Sequence, residues 1–226
     1  MKRGKRYVAL REKMSPEKIY TIDEALSLIK EGVAIKFDES VEVHAHLSVN
    51  AKKGDEQVRG TVVLPHGSGK KIRIGVVTEQ QAKEAKNAGA DVIGGEELAS
   101  EIASGKVPDI DVLLATPEMM PKLAKAAKVL GPRGLMPNPK TETVTQDIAK
   151  SIDLLKKGKI HFKVDNTGNI HQVIGKRSFD AEKLKENYSA ILAALQKARP
   201  NTQKGPFIKS LSLCATMGPS VRVQIS

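Results

Sequence analysis

Between Lys71 and Gly158 the chain reads as short apolar runs alternating with amphipathic stretches, and on either side of that segment it does not. The runs IRIGVV, ADVIGG and DVLLATP are separated by TEQQAKEAKNAG and EELASEIASG, and a longer helical stretch runs on to Leu130. Gly89, Gly105 and Gly131 fall where helices should stop, since glycine enters the left-handed region cheaply. A further helix is expected over Gln146 to Lys157, closed by Gly158. Strand and helix in alternation predict parallel strands joined by right-handed crossovers, a small three-layer α/β domain.

The flanks follow another grammar. Thr21 with Glu24 three residues on forms a capping-box pattern, and Ile22, Ala25, Leu26, Ile29 and Val33 recur at helical spacing, with Gly32 near the stop. In KFDESVEVHAHLSV, Val41, Val43, Ala45, Leu47 and Val49 alternate with Glu42, His44, His46 and Ser48, the period of a strand with one wet face. RGTVVLPHG reads as a second strand. Beyond the middle segment, KIHFKVDNTGNIHQVIG reads as two strands around the turn DNTGN. A helix follows over Asp180 to Lys197, striped by Leu184, Tyr188, Ile191, Leu192 and Leu195 and ended by Pro200. FIKSLSLCATMGPSVRVQIS supplies the last strands.

Neither flank alone has enough strands to bury a sheet face. The expected fold class is therefore α/β and α+β in two domains. Residues 1–66 and 159–226 form a discontinuous α+β domain with a mainly antiparallel sheet, and residues 67–158 form the inserted three-layer α/β domain with a parallel sheet. The chain crosses between them near PHGSGK and KKGK, and such a double connection permits hinge bending more readily than twisting.

Charge then narrows the partner. Lys and Arg total 37 against 26 Asp and Glu, a formal net charge of +11, so attraction to a polyanion is expected. The opening MKRGKRYVALREK carries the densest basic cluster and reads equally as a disordered arm or a solvated tail. Aromatic residues are 3% with no Trp, which argues against stacking on single-stranded RNA and for a folded RNA read by shape and backbone. The single cysteine, Cys214, excludes an intrachain disulfide and a cysteine-rich zinc site, and in its apolar strand pattern it reads as a buried, inert thiol. No apolar run approaches the roughly 18 residues of a membrane span, so a cytoplasmic protein with no membrane partner is expected.

Several motifs test chemical alternatives. GSGK, Gly67 to Lys70, and the Gly175–Lys176 pair both fail as phosphate-binding loops. Leu64 and Ile170 stand where the leading glycine belongs, and Lys71 and Arg177 where Ser or Thr belongs. His44 and His46 share a strand face with Glu42, and His171 could join them, but a polar sheet face is expected there, with no metal, cofactor or catalytic group. GPRGLMPNPK, Gly131 to Lys140, is a stiff cationic loop, either a connector or a phosphate contact. TMGPSV, Thr216 to Val221, can do no chemistry at neutral pH. It offers a hydroxyl, a thioether, a side-chain-free glycine and a rigid proline, the makings of a contact surface.

With KFDESVEVHAHL, RGTVVLPHGSGK, GPRGLMPNPK, TGNIHQVIGK and TMGPSV in this order, the chain resembles the bacterial ribosomal protein L-one family over essentially its whole length. The resemblance implies binding of folded large-subunit rRNA through the discontinuous domain, at the mobile stalk beside the exit-site tRNA. It further implies repression of the protein's own operon through a similar structure in its mRNA, by a protein that is a monomer when free. Carried over, the RNA-contacting cluster falls on Lys36, Phe37, Ser40, Thr216, Met217 and Gly218. Ser40 stands where relatives often carry threonine and keeps the hydroxyl. Glu42, Asp165, Thr167, His171, Lys176 and Ser210 lie in matching motifs as secondary candidates. The rival readings are an α/β enzyme holding a nucleotide or sugar phosphate at the strand ends of the middle domain, near Thr78, Gly94, Gly95, Thr116 and Pro117, and a general RNA chaperone.

Overall fold

The computed structural model describes residues 4–15, 18–32, 36–50, 57–200 and 205–225. In chain order the elements are helices α1 (Lys5–Glu12) and α2 (Ile22–Lys30), then strands β1 (Ser40–Leu47), β2 (Arg59–Val63) and β3 (Ile74–Val77). There follow α3 (Ala82–Asn87), β4 (Val92–Gly94), α4 (Glu96–Ala103), β5 (Val112–Ala115), α5 (Met120–Ala124), α6 (Ala127–Leu130) and α7 (Ile148–Lys156). The chain closes with β6 (Lys159–Lys163), β7 (Asn169–Lys176), α8 (Ala181–Lys197), β8 (Ile208–Ala215) and β9 (Val221–Val223). Two units result, Met1–Gly69 with Ile160–Ser226, and Lys70–Lys159.

In the unit Lys70–Lys159, β3 lies between β4 and β5, and both pairings are parallel. Every residue of β3 and β5 is buried, because the sheet is covered on both faces. Ile74, Val76, Val112 and Leu114 pack with Ala85 of α3 and Ile148 and Ile152 of α7. Val77, Leu113 and Ala115 pack the other way, onto Leu98 and Ile102 of α4, Leu123 of α5 and Leu130 of α6. The three layers thus follow from residues alternating within each strand.

Two details depart from the expected pattern. The long helix toward Leu130 is broken into a 3₁₀ turn over Pro117–Met119 followed by α5 and α6, with Ala126 leaving helical geometry at φ −88° and ψ 1°. Gly89, Gly105 and Gly158 take positive φ at their helix ends, but Gly131 remains right-handed at φ −57°, and the left-handed residue is Gly134.

In the other unit the antiparallel sheet has the order β7-β1-β8-β9. Val41, Val43, Ala45 and Leu47 of β1 all point into the core, joined by Ile170, Leu211, Leu213 and Val221 from the other three strands. Against this face lie Ala25, Leu26 and Ile29 of α2 and Leu184, Tyr188, Ile191 and Leu195 of α8. Thr21 starts α2 as expected: its Oγ1 accepts from Glu24 N–H at 3.3 Å while Glu24 Oε2 accepts from Thr21 N–H at 2.9 Å. Val33, the last apolar position expected on that stripe, and Lys2 in the basic opening lie outside the described residues.

Part of the basic opening is not an arm. Lys5–Glu12 is helical, and Leu10 and the following Met14, four residues apart, are both buried. The strands flanking DNTGN also separate: β7 pairs with β1, whereas β6 joins β2 in a two-stranded sheet, where Gly60 leaves room for the Phe162 ring. Asn187 of α8, fully buried, ties these pieces together. Its amide donates to Gly67 O at 2.9 Å and Ile174 O at 2.7 Å, and its carbonyl accepts from His66 N–H at 3.1 Å. Among the described residues no helix is long and apolar enough to cross a membrane.

Candidate nucleic-acid interface

Helices α2 and α8 cover one face of the antiparallel sheet, so the period-two alternation leaves the other face to polar side chains. On it, Ser40 stands opposite Lys176, Glu42 opposite Cys214, His44 between His171 and Ser212, and His46 between Asn169 and Ser210. A bulge between Val41 and Glu42 shifts the register against β7. It brings Lys176 beside Ser40, and the ammonium donates to Ser40 Oγ at 3.0 Å.

One end of this face is locked to TMGPSV. Ser40 N–H donates to Thr216 Oγ1 at 3.1 Å, the hydroxyl lies 3.3 Å from Ser40 O, and Thr216 N–H donates to Ser40 O at 3.1 Å. Met217 N–H donates to Glu39 Oε1 at 3.0 Å. Glu39 is only 3% exposed and accepts from Arg177 Nη1 through Oε2 at 3.0 Å. Arg177 in turn donates to the carbonyls of Lys30, the last residue of α2, and of Gly32 beyond it. The chain Arg177–Glu39–Met217 therefore holds the TMGPSV turn against the start of β1.

On that support two large apolar side chains stand in solvent: Phe37 is 52% exposed and Met217 53%. Lys36 beside Phe37 is exposed as well. Gly218 adds a gap. Its Cβ position would meet nothing closer than Ala215 Cβ at 3.5 Å, and its φ is not left-handed, so the fold itself does not demand glycine here.

At the far end of β7, Asp165 and Thr167 build a turn. Asp165 Oδ1 accepts from Thr167 N–H at 2.9 Å and Asn169 N–H at 2.7 Å, and Oδ2 accepts the Thr167 hydroxyl at 2.7 Å. The Asn169 amide first, and then the Thr167 hydroxyl, draw the Asp165 pKa down from 3.8 to about 2. Its contribution to stability is therefore complete above about pH 4 and is lost as pH falls through about 2. Asp165→Asn should lower stability slightly at about pH 6, by less than ~1 kcal/mol since the carboxylate is solvent-screened. The difference from the unsubstituted chain should close as melting curves are taken toward about pH 2.

The histidines do not converge as a trio. His46 Nδ1 lies 2.8 Å from Asn169 Oδ1, whereas His44 Nδ1 meets His171 Nδ1 at 2.7 Å. His44 Nε2 lies 3.0 Å from Cys214 Sγ. Cys214 is thus not a core thiol. Leu213 and Ala215 turn inward, so the residue between them shares the polar face with Ser210 and Ser212. Burial, with Glu42 adding, pushes the thiol up to about 11, and burial followed by the nearby His171 lowers the His44 pKa against the opposing pull of Glu42.

The strand ends of the parallel sheet are less promising. Thr78 and Thr116 are buried, Thr78 Oγ1 accepts from Gln81 N–H, and Lys122 there is paired with Glu79 at 2.6 Å and Glu96 at 2.9 Å. The clustering of Lys36, Phe37, Ser40, Thr216, Met217 and Gly218 joins two segments about 180 residues apart in sequence. Glu39 and Arg177 were missed, since neither has a local signal: the contact between them exists only once β1 and β7 are in register.

A polar sheet face with exposed apolar groups at one end, on a strongly cationic chain, has the makings of a binding surface. Residues 28–219 match the Ribosomal protein L1p/L10e family, and the chain belongs to that family, one of ribosomal proteins and not of enzymes. It is 48% identical over 223 residues to the large ribosomal subunit protein uL1 of Mesoplasma florum, covering 99% of this chain and 98% of that protein. It is 49% identical over 228 residues to the protein of the same name from Persephonella marina, covering 99% and 94%.

Proposed function

We propose that this chain is a structural constituent of the large ribosomal subunit that binds folded rRNA through the open sheet end formed by Lys36, Phe37, Ser40 and Thr216 to Gly218. The observation that carries this reading is the exposure of Phe37 just before β1 and of Met217 on a turn anchored by a buried carboxylate. Exposed apolar side chains held in place are a prepared contact, because little side-chain and backbone freedom is left to lose on binding. Lys36 supplies charge to a phosphate, Phe37 and Met217 cover sugar or base faces, and Gly218 lets the RNA backbone approach. The Thr216 hydroxyl, already engaged with Ser40, keeps an acceptor lone pair for a 2′-hydroxyl.

Family membership supports extending this role. In this proposal the bound rRNA forms the mobile stalk whose movement assists release of deacylated exit-site tRNA, and the same surface binds the protein's own operon mRNA and represses it. Met217→Ala should lower affinity for a stalk rRNA fragment by ~1 to 3 kcal/mol, with a matching loss for the mRNA fragment. Filter binding or calorimetry at fixed salt reads both. Unchanged affinity for the rRNA fragment would exclude this surface, and loss for one RNA only would exclude a shared site.

A further inference from the structure

We propose that Glu42, His44 and Cys214 form a site for one divalent cation of the zinc class on the open sheet face. The site takes Glu42, one of the secondary RNA candidates, but none of Lys36, Phe37, Ser40 and Thr216 to Gly218, and it does not depend on the RNA reading. One ligand atom from each of the three residues lies within 4.8 Å of the others. His44 Nε2 is 3.0 Å from Cys214 Sγ and 3.9 Å from Glu42 Oε2. Tetrahedral zinc with ordinary Zn–N, Zn–S and Zn–O bonds separates its ligand atoms by about 3.4 to 3.6 Å. Adjustments of about half an ångström bring both His44 separations to these values, and the Cys214–Glu42 pair, within 4.8 Å, needs at most about 1.2 Å, leaving a fourth position to water.

The donor set is chemically matched. A thiolate, an imidazole and a carboxylate together suit a borderline cation and discriminate against magnesium or calcium, which favour all-oxygen sites. The imidazole is also oriented. His44 Nδ1 faces His171 Nδ1 at 2.7 Å, and His171 Nε2 faces Asp165 Oδ2 at 3.8 Å. One proton arrangement serves the row: His171 Nδ1 receives from His44 Nδ1–H, while the Asp165 carboxylate, too far for a hydrogen bond, favours a proton on His171 Nε2 through its charge. That arrangement leaves the His44 Nε2 lone pair toward Cys214. A histidine ligand whose other nitrogen donates to a fixed acceptor is the usual support of a metal site.

Binding then exchanges one proton for the ion. The Cys214 S–H bond breaks, the proton goes to solvent, an S–metal bond forms from the sulfur electron pair, and no electron is transferred. The strand register holds the site together, since Glu42 and Cys214 are cross-strand partners and His44 follows Glu42 by two residues on the same face.

Cobalt(II) titrated into the full chain tests this. A 1:1 complex is expected, with a near-ultraviolet thiolate-to-cobalt charge-transfer band and the strong visible bands of four-coordination, both bleached by equimolar zinc. Cys214→Ser should abolish the charge-transfer band, and His44→Gln and Glu42→Gln should each weaken binding about tenfold or more. His66 with Glu186, paired at 2.7 Å, cannot mimic this signal because it has no thiol. As a measurement on the unsubstituted chain, zinc should slow alkylation of Cys214 about tenfold. Absence of the band, unchanged cobalt affinity in both His44→Gln and Glu42→Gln, or alkylation indifferent to zinc would each overturn the proposal.

Discussion

Glu39→Ala is expected to lower stability by about 3 kcal/mol and to weaken RNA binding about tenfold, although a residue 3% exposed offers RNA almost no surface. The stability loss arises because the Arg177 side chain, itself 17% exposed, is left beside an empty place in a low-dielectric setting. The binding loss has a separate origin: Met217 N–H loses its acceptor, and the turn that presents Met217 loses its tie to β1. Glu39→Gln separates the two. An amide oxygen can still accept from Met217 N–H, so this variant should lose most of the stability while its folded fraction binds RNA nearly as the unsubstituted chain does. Urea denaturation with direct titration of a stalk rRNA fragment gives both numbers. Equal binding by the Ala variant would show that Met217 is positioned by something other than Glu39.

Local periodicity made much of this structure legible. The alternation from Val41 to Leu47 states which β1 side chains enter the core, and Thr21 with Glu24 marks the start of α2, because both patterns are enforced by neighbours two to four residues away. The fully apolar runs of β3 and β5 likewise predict a sheet covered on both faces. Cys214 shows where this kind of reading slips. Its strand was recognised, but a cysteine among apolar residues looks internal until the face of Ser210 and Ser212 is known. The opening helix was hidden for a related reason: its charge dominates the composition, while Leu10 and Met14 alone carry the burial.

The contacts that finish the site were beyond any local pattern. Glu39 and Arg177 are 138 residues apart, and DNTGN gives no sign that its two strands will enter different sheets. Strand pairing is decided by competition among all available edges, and β1 offers β7 a partner with complementary faces along nearly its whole length. The resemblance to a known family pointed to Phe37 and Met217 as the ends of the proposed interface. The buried ion pair beneath them comes from the coordinates alone.

Gly218→Ala should leave stability within about 0.5 kcal/mol and reduce affinity for the rRNA fragment at least about tenfold. Most glycines with packing constraints in this chain announce themselves: a Cβ on Gly175 would lie 2.8 Å from Leu184 Cδ2, and one on Gly60 2.6 Å from the Phe162 ring. At Gly218 the nearest atom is at 3.5 Å, ordinary van der Waals contact, and the backbone conformation is open to any residue. With no internal reason for glycine, the proposed interface supplies one, a partner that approaches the backbone between Met217 and Pro219. A methyl group there would hold the RNA away from Met217 and Thr216 together, so the loss should exceed what one missing contact explains. Gly218→Ser, of similar size but able to donate a hydrogen bond, should recover part of the affinity if a phosphate or sugar oxygen is the group displaced. If thermal melting and RNA titration move together in both variants, glycine is serving the fold and not the interface.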